Sequence, residues 1–365
     1  MKKTVITLAL VLVIALLTGC AGTPVVYYSD CTCPTGAHTE AAPVETTPVE
    51  TAPVETTPVA EGAVKTGVAI LASAGESKSA GDADGEAKYD VSVVAVTVDD
   101  NGVIQSCIID SIGTSVLFDV NGTIVSDLTA PIQTKNELGD AYNMKLYGGA
   151  VAEWYEQAAA LASFACGKTV EELKSGAVDE TGHAVDADLA TTATIYLGGY
   201  VAAIEKAVAN AQHLGAQAGD ELKLAIIPGV GSSASADAEN AGNAQLDVDV
   251  AAVTMNGETI TSCAIDSLQA KVAFDATGTI TADLSSYFQT KNELGEGYGM
   301  VAWGGAIAEW NEQAASFAAY VTGKTADEVA NIAVNEGTKP TGADLSSSVT
   351  IAIGGFQALI AKAMG

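Results

Sequence analysis

The chain has 365 residues, 45 of them acidic and 16 basic, for a formal net charge of −29, and every basic residue is lysine. That balance repels nucleic acid and anionic lipid surfaces and excludes a nucleic-acid binder; the lack of arginine also removes the bidentate clamp that holds a freely exchanging phosphate. Three dispersed histidines, His38, His183 and His213, exclude a zinc site, and the six cysteines form neither a haem attachment motif nor an iron–sulfur set.

Residues 1–20 read as a lipoprotein signal peptide. Lys2 and Lys3 are the positive start, Val5 to Leu17 is nearly all apolar, and Leu17-Thr18-Gly19-Cys20 matches a lipobox. The apolar run is too short to span a bilayer comfortably. Cys20 is therefore the expected lipidation site and new N-terminus, which anchors the chain on the extracellular face of the cell membrane. Loss of Lys2 and Lys3 takes the charge from −29 to −31.

Residues 21–66 form a spacer expected to be disordered. Pro43, Pro48, Pro53 and Pro58 recur every five residues in a Pro-Val-Glu-Thr pattern. Proline at that density favours polyproline II, so Pro43–Val59 reaches roughly 50 Å, and the regular glutamates stiffen it by repulsion. Cys31 and Cys33, ahead of this stretch, read equally as a dithiol, a metal grip or a plain linker feature.

The remainder is an internal repeat. Cys107-Ile-Ile-Asp110 returns as Cys263-Ala-Ile-Asp266, and Gln133-Thr-Lys-Asn-Glu-Leu-Gly139 returns unchanged as Gln289-Thr-Lys-Asn-Glu-Leu-Gly295. Ala152-Glu-Trp154 returns as Ala308-Glu-Trp310, and Thr194 as Thr350, all at one offset of 156 residues (350 − 194). Two similar tandem domains are expected, 67–218 and 222–365, with exposed Ser/Ala/Gly/Asp-rich loops at Ala74–Gly85 and Gly231–Asn243. Cys107 and Cys263 read as small buried residues of equivalent strands.

Each domain reads as α+β, an antiparallel sheet packed with helices. Tyr89–Val98 alternates like a half-buried strand, Asp100-Asn-Gly102 turns, and Val103–Asp110 and Thr114–Val120 follow as strands. The second copy repeats this at Leu246–Thr254, Thr259–Asp266 and Lys271–Ala276. A helix follows at Ala150–Ala165 or Ala306–Val321, with Trp154, Phe164, Trp310 and Phe317 at core spacing. Gly167-Lys-Thr169 and Gly323-Lys-Thr325 lack the upstream glycine of a phosphate loop and read as a helix C-cap followed by an N-cap.

The last helix of each copy is expected to open at Asp188-Leu-Ala-Thr-Thr-Ala-Thr194 and Asp344-Leu-Ser-Ser-Ser-Val-Thr350. Asp188 and Asp344 read as its N-caps, which puts Thr194 and Thr350 in the second turn, near the positive helix end. A Gly-Gly pair follows each threonine, Gly198 and Gly199 or Gly354 and Gly355, where missing side chains leave room for a flat ring.

The pattern Asp-x-x-[Ser/Thr/Ala]-x-[Ala/Val]-Thr resembles the flavinylation motif of FMN-binding domains, although the glycine of the commonest form, Ser-Gly-Ala-Thr, is missing from both copies. The whole architecture of lipobox, spacer and tandem domains is similar to the PplA-like flavinylated lipoproteins of Gram-positive bacteria. That resemblance implies two covalent FMN groups per chain, carried by the hydroxyls of Thr194 and Thr350, with Asp188 and Asp344 as motif aspartates. It implies an FAD-dependent FMN transferase, assisted by magnesium, that moves FMN from FAD onto each threonine as a phosphodiester. It further implies an electron carrier rather than a catalyst, running from a membrane NADH dehydrogenase and its quinone pool to extracellular acceptors such as ferric iron. A phosphate near a helix N-terminus needs no arginine, which agrees with the composition. Lys135, Asn136, Tyr142 and Met144, with Lys291, Asn292, Tyr298 and Met300, are candidate contacts to the ring, core packing being the other reading.

A surface lipoprotein that binds a solute, wall polymer or protein partner is the alternative. A hydrolase is disfavoured because no serine–histidine–acid set repeats: His183 corresponds to Lys339.

Overall fold

The computed structural model describes residues 62–365; the lipobox with Cys20, and Cys31, Cys33 and the proline repeats, lie outside the described residues. The first half opens with β1 (Lys65–Ser73), β2 (Gly85–Val98) and β3 (Ile104–Phe118). Its helices follow: α1 (Lys135–Leu138), α2 (Met144–Gly148), α3 (Trp154–Ala165), α4 (Val170–Ala177), α5 (Ala187–Thr192) and α6 (Gly198–Ala209). The second half has β4 (Glu221–Gly229), β5 (Gly242–Asn256) and β6 (Thr259–Phe274). Then come α7 (Lys291–Leu294), α8 (Met300–Gly304), α9 (Trp310–Val321), α10 (Ala326–Ala330), α11 (Ala343–Ser346) and α12 (Gly354–Met364). The strands form two antiparallel sheets, ordered β1-β2-β3 and β4-β5-β6 and each packed with helices, an α+β arrangement.

Three features depart from the sequence reading. β1 and β4 were not expected: β1 begins two residues inside the expected spacer, and its buried residues run consecutively from Thr66 to Ile70 rather than alternating. The strands expected at Val103–Asp110 and Thr114–Val120 are one strand, β3, because Ile112 is fully buried and the ladder to β2 runs unbroken through Ser92↔Ser111, Val91↔Ile112 and Asp90↔Gly113. The pair expected at Thr259–Asp266 and Lys271–Ala276 fuses in the same way into β6. Finally, α3 and α9 begin at Trp154 and Trp310, four residues later than expected, where Glu153 and Glu309 close capping boxes with Glu156 and Glu312.

The valine-rich run of β2 is covered on both faces. Period two sends Val91, Val93 and Ala95 one way, into a core shared with Val248, Val250 and Ala252 of β5. It sends Val94, Val96 and Val98 the other way, onto Leu161 of α3 and Ile204 of α6. β5 behaves alike, with Ala251, Val253 and Met255 under Phe317 of α9 and Ile360 of α12. The two segments expected as separate domains thus enclose a common interior. Edge strands β1 and β6 lie against each other, with Thr66 Oγ1 2.6 Å from Ser262 Oγ.

At the centre of that interior the rings of Phe118 and Phe274 stack, centroids 4.0 Å apart and planes within 4°. Each ring occupies the space a side chain would need at its cross-strand partner: a Cβ on Gly85 would lie 2.3 Å from Phe118, and one on Gly242 would lie 2.2 Å from Phe274. The exposed loops 74–84 and 230–241 reach across as well. Ala80 N donates to Gly278 O and Ala236 N donates to Gly122 O, both at 2.8 Å. Replacing Phe118 by alanine should cost about 3–5 kcal/mol. Because the stack joins both sheets, urea unfolding of Phe118→Ala followed by far-ultraviolet dichroism and by tryptophan fluorescence should show coincident, equally shifted transitions; loss of one sheet before the other would contradict the shared core.

Candidate functional site

The helix expected to run through Thr194 and Thr350 is broken at both. α5 ends at Thr192, Ala193 is extended (φ −128°, ψ 102°), and α6 starts only at Gly198, so Thr194 lies in the connection. The local feature common to both copies is hydroxyls that bond back to the chain: Thr191 Oγ1 donates to Asp188 O at 2.8 Å and Thr192 Oγ1 to Leu189 O at 3.1 Å, as Ser347 Oγ does to Asp344 O at 3.2 Å and Ser348 Oγ to Leu345 O at 3.3 Å. The N-caps are also displaced. Asp186, not Asp188, accepts from the amides of Asp188 and Leu189, both at 3.0 Å, while Gly342 holds the cap position before Asp344 without a side-chain bond. Asp188 and Asp344 sit exposed in the first turns of α5 and α11.

What holds each threonine is a residue absent from the sequence reading. Gln157 of α3 is fully buried, and its Oε1 accepts from Thr194 N (2.7 Å), Ile195 N (3.1 Å) and Thr194 Oγ1 (3.3 Å), while its Nε2 donates to Ala152 O (2.8 Å). Gln313 of α9 repeats the set with Thr350 N (2.8 Å), Ile351 N (3.2 Å), Thr350 Oγ1 (3.3 Å) and Ala308 O (2.8 Å). A buried amide with donor and acceptor both used fixes its neighbours sharply. The available signal was the repeated Glu156-Gln157-Ala158 and Glu312-Gln313-Ala314.

A cavity of about 570 Å³ opens at Ile195, the neighbour of Thr194, and is lined among others by Asp90, Lys135, Tyr142, Met144, Trp154 and Gly199. Tyr196 and Tyr200 complete the aromatic wall, with Trp154 Nε1 donating to Tyr200 Oη at 3.1 Å. Lys135 Nζ stands over this wall, 5.1 Å from the Trp154 ring centroid and 5.3 Å from that of Tyr142. In the second half Lys291 Nζ lies 4.8 Å from Trp310 and 5.2 Å from Tyr298, and Phe356 packs edge-on against Trp310 at 5.8 Å. Met144 and Met300 are set by buried carboxylates: Glu153 accepts from Met144 N and Glu309 from Met300 N, both at 2.8 Å.

The glycine pairs divide their work. A Cβ on Gly198 would come 2.7 Å from Tyr196 Oη, and one on Gly354 would meet the Thr338 side chain at 3.3 Å, so the first glycine of each pair makes room for a protein side chain rather than a ligand. The second opens onto the site: around Gly199 the nearest atom, of Tyr196, is 3.8 Å away, and around Gly355 it is Asp249 Oδ2 at 4.0 Å. The amides of Leu197 and Gly198 both donate to Gly182 O, which leaves the helix-end amides of Gly199 and Tyr200, two residues that line the cavity, without a backbone partner.

For Asn136 and Asn292 the structure shows packing contacts, the other of the two readings. Their Nδ2 groups donate to Ile109 O and Ile265 O at 2.9 Å, tying α1 and α7 to the sheets, and their backbone amides donate to Asp110 and Asp266. Burial pushes the Asp266 carboxyl up to about 6, against the Thr290 hydroxyl, the Ser267 and Asn292 amides and the Lys206 charge, which all pull it down. Asp110 moves in the same direction for the same reason. Burial likewise raises the Cys107 thiol and takes that of Cys263 to about 12, so neither is a nucleophile at neutral pH. Among the described residues no group of three or more His, Cys, Asp or Glu is placed to hold a metal ion, and no helix is long and apolar enough to cross a membrane.

Two outcomes follow. Gln157→Leu leaves two backbone amides without their acceptor, and it should cost about 1–3 kcal/mol in urea unfolding. Asp266 has a folded-state value above its ordinary 3.8, so its stabilising contribution is complete below about pH 4 and lost as the pH rises through about 6. Asp266→Asn, which keeps the acceptor oxygen, should therefore gain on the parent protein by on the order of 3 kcal/mol between pH 4 and pH 8 in denaturation curves; a gap that does not change with pH would contradict the burial. No family model matches the chain, and searches of curated proteins and of solved structures find no match either.

Proposed function

We propose that the chain is a membrane-anchored extracellular electron carrier built of two tandem flavin-bearing domains, 67–218 and 222–365, with FMN esterified to Thr194 and Thr350. The observation that carries this reading is the repeated pinning of a threonine by a buried glutamine. Gln157 and Gln313 hold the backbone of each threonine and leave its hydroxyl at hydrogen-bonding reach, beside an aromatic wall with one lysine.

The residues present fit the group. A cavity of about 570 Å³ lies within the range of small-molecule sites, and Trp154, Tyr142, Tyr200 and Met144 give a flat ring apolar surfaces to lie on. The phosphate of a threonine ester carries one negative charge, which suits the free amides of Gly199 and Tyr200 at the start of a twelve-residue helix. FMN, when bound, supplies one- and two-electron redox chemistry that the polypeptide lacks. The chain's own part is to offer the hydroxyl, fix its backbone, and place a lysine charge near the ring. Attachment by an FAD-dependent transferase forms the threonine Oγ1–phosphorus bond as the bond to AMP breaks. A covalent tether retains the group outside the cell, where a dissociated cofactor would be lost.

Electrons would enter from a membrane NADH dehydrogenase and its quinone pool and leave to acceptors such as ferric iron. A second reading, a binding module without redox activity, draws on a larger cavity of about 770 Å³ between the halves, bordered by Val68, Leu214, Asp266 and Asn311 and lined by neither threonine. The two part on one experiment. Protein produced with the transferase should be yellow and heavier by two FMN groups; Thr194→Ala and Thr350→Ala should each remove one, and the double variant should be colourless. Colourless parent protein of unmodified mass, recovered from cells with an active transferase, refutes the carrier and favours the binding module.

A further inference from the structure

The lysine over each aromatic wall is carried by a helix of only four residues, α1 or α7, too short to be stable by itself. Each is closed by a capping box in which Thr134 Oγ1 accepts from Glu137 N and Thr290 Oγ1 from Glu293 N, and in which one carboxylate oxygen of the glutamate accepts from the threonine amide at 2.8 Å. The other oxygen of the same glutamate takes a lysine from across the molecule, and in Glu293 it also accepts from the Tyr287 hydroxyl of its own half at 2.7 Å. Glu137 Oε1 pairs with Lys362 Nζ at 2.5 Å, and Lys362 belongs to α12, the last helix of the second half. Glu293 Oε1 pairs with Lys206 Nζ at 2.9 Å, and Lys206 belongs to α6, the last helix of the first half. Both ammonium groups are anchored in their own halves, Lys362 on Ile226 O and Lys206 on Ile70 O. Partial burial works against both charges, yet both carboxyls lie below the ordinary value: Glu137 is held there by Lys362 and its capping bond, Glu293 by its capping bond, the Tyr287 hydroxyl and Lys206.

We propose that Lys362 and Lys206 are positioning residues that act in trans: Lys362 sets Lys135 at the Thr194 site, and Lys206 sets Lys291 at the Thr350 site. Glu137 lies two residues from Lys135, and Glu293 two residues from Lys291, so the clamp on each glutamate fixes the turn that carries the site lysine. The arrangement crosses over, since α6 begins at the Thr194 site yet its Lys206 serves the other one. A lysine held near a flavin favours the reduced, more negative ring; the redox part of the proposal therefore rests on the flavin reading, while the geometric part does not.

Two measurements separate these. In unmodified protein, the indole N–H resonances of Trp154 and Trp310 report the lysine above each ring. Lys362→Met should move the Trp154 resonance and leave that of Trp310, Lys206→Met should do the reverse, and the arginine replacements should restore both. Glu137→Gln, which keeps the capping box but not the charge, should act like Lys362→Met. In protein flavinylated only at Thr194, made with Thr350→Ala, Lys362→Met should lower the midpoint potential by about 30 mV, a tenfold change in a two-electron equilibrium, and Lys206→Met should not. The Lys206–Glu293 pair is the more sheltered, with side chains 16% and 27% exposed against 35% and 33%, so the mirrored experiment on Thr350 should give the larger shift. If each variant perturbs only the site of its own half, or neither site, the proposal falls. If the resonances cross over while no flavin is ever attached, the trans clamp stands and the flavin reading fails.

Discussion

Everything in the fold follows from the need of two central strands, β2 and β5, to bury both of their faces. A three-stranded sheet with helices on one side leaves the other side bare, and here each sheet covers that side with its counterpart. The outer faces, carrying Val94, Val96 and Val98 or Ala251, Val253 and Met255, are then left to the helices. That division puts α3 and α6, or α9 and α12, next to one another, and the threonine-bearing connection crosses between them. Gln157 and Gln313 reach that connection because their helices are pressed down on the sheet. Hydrophobic burial sets the layout, and two buried amides set its detail.

Much of this was legible because it is local. The hairpin turns, the capping boxes at Thr169 and Thr325, and the helices bearing Trp154 and Trp310 each follow from a few neighbouring residues. The offset of 156 residues announced which positions would correspond. What escaped depends on partners distant in the chain. β1 and β4 are short runs without alternation, visible only once β2 and β5 are beside them. The break at Thr194 competes with a good helical periodicity, since Ala193 and Leu197 are both buried anyway; the glutamine that captures the connection lies 37 residues earlier. The lysines, tyrosines and methionines were grouped from their repetition alone, and Lys135, Tyr142 and Met144 do line one cavity; the place of Trp154, Tyr196 and Tyr200 in that wall was not legible, and the asparagines fasten helix to strand.

The two sites share a plan without being copies. Tyr196 of the first, with its ring laid over Gly182 and Gly198, is replaced by Ala352 in the second, where Thr338 fills the space beside Gly354. Tyr200 becomes Phe356, and Ser92 becomes Asp249, which brings a carboxylate oxygen to 4.0 Å of the Cβ position at Gly355. A hydroxyl and a second tyrosine on one side face an extra negative charge on the other. Identical groups placed in such surroundings would not be energetically equal.

The interior held in common by the two sheets also governs reach. With Phe118 stacked on Phe274 at the middle, no hinge separates Thr194 from Thr350. The interval between them is a constant of the architecture, like the spacing of teeth on a gear. Whatever meets one of them meets a body that must pivot as a whole to present the other.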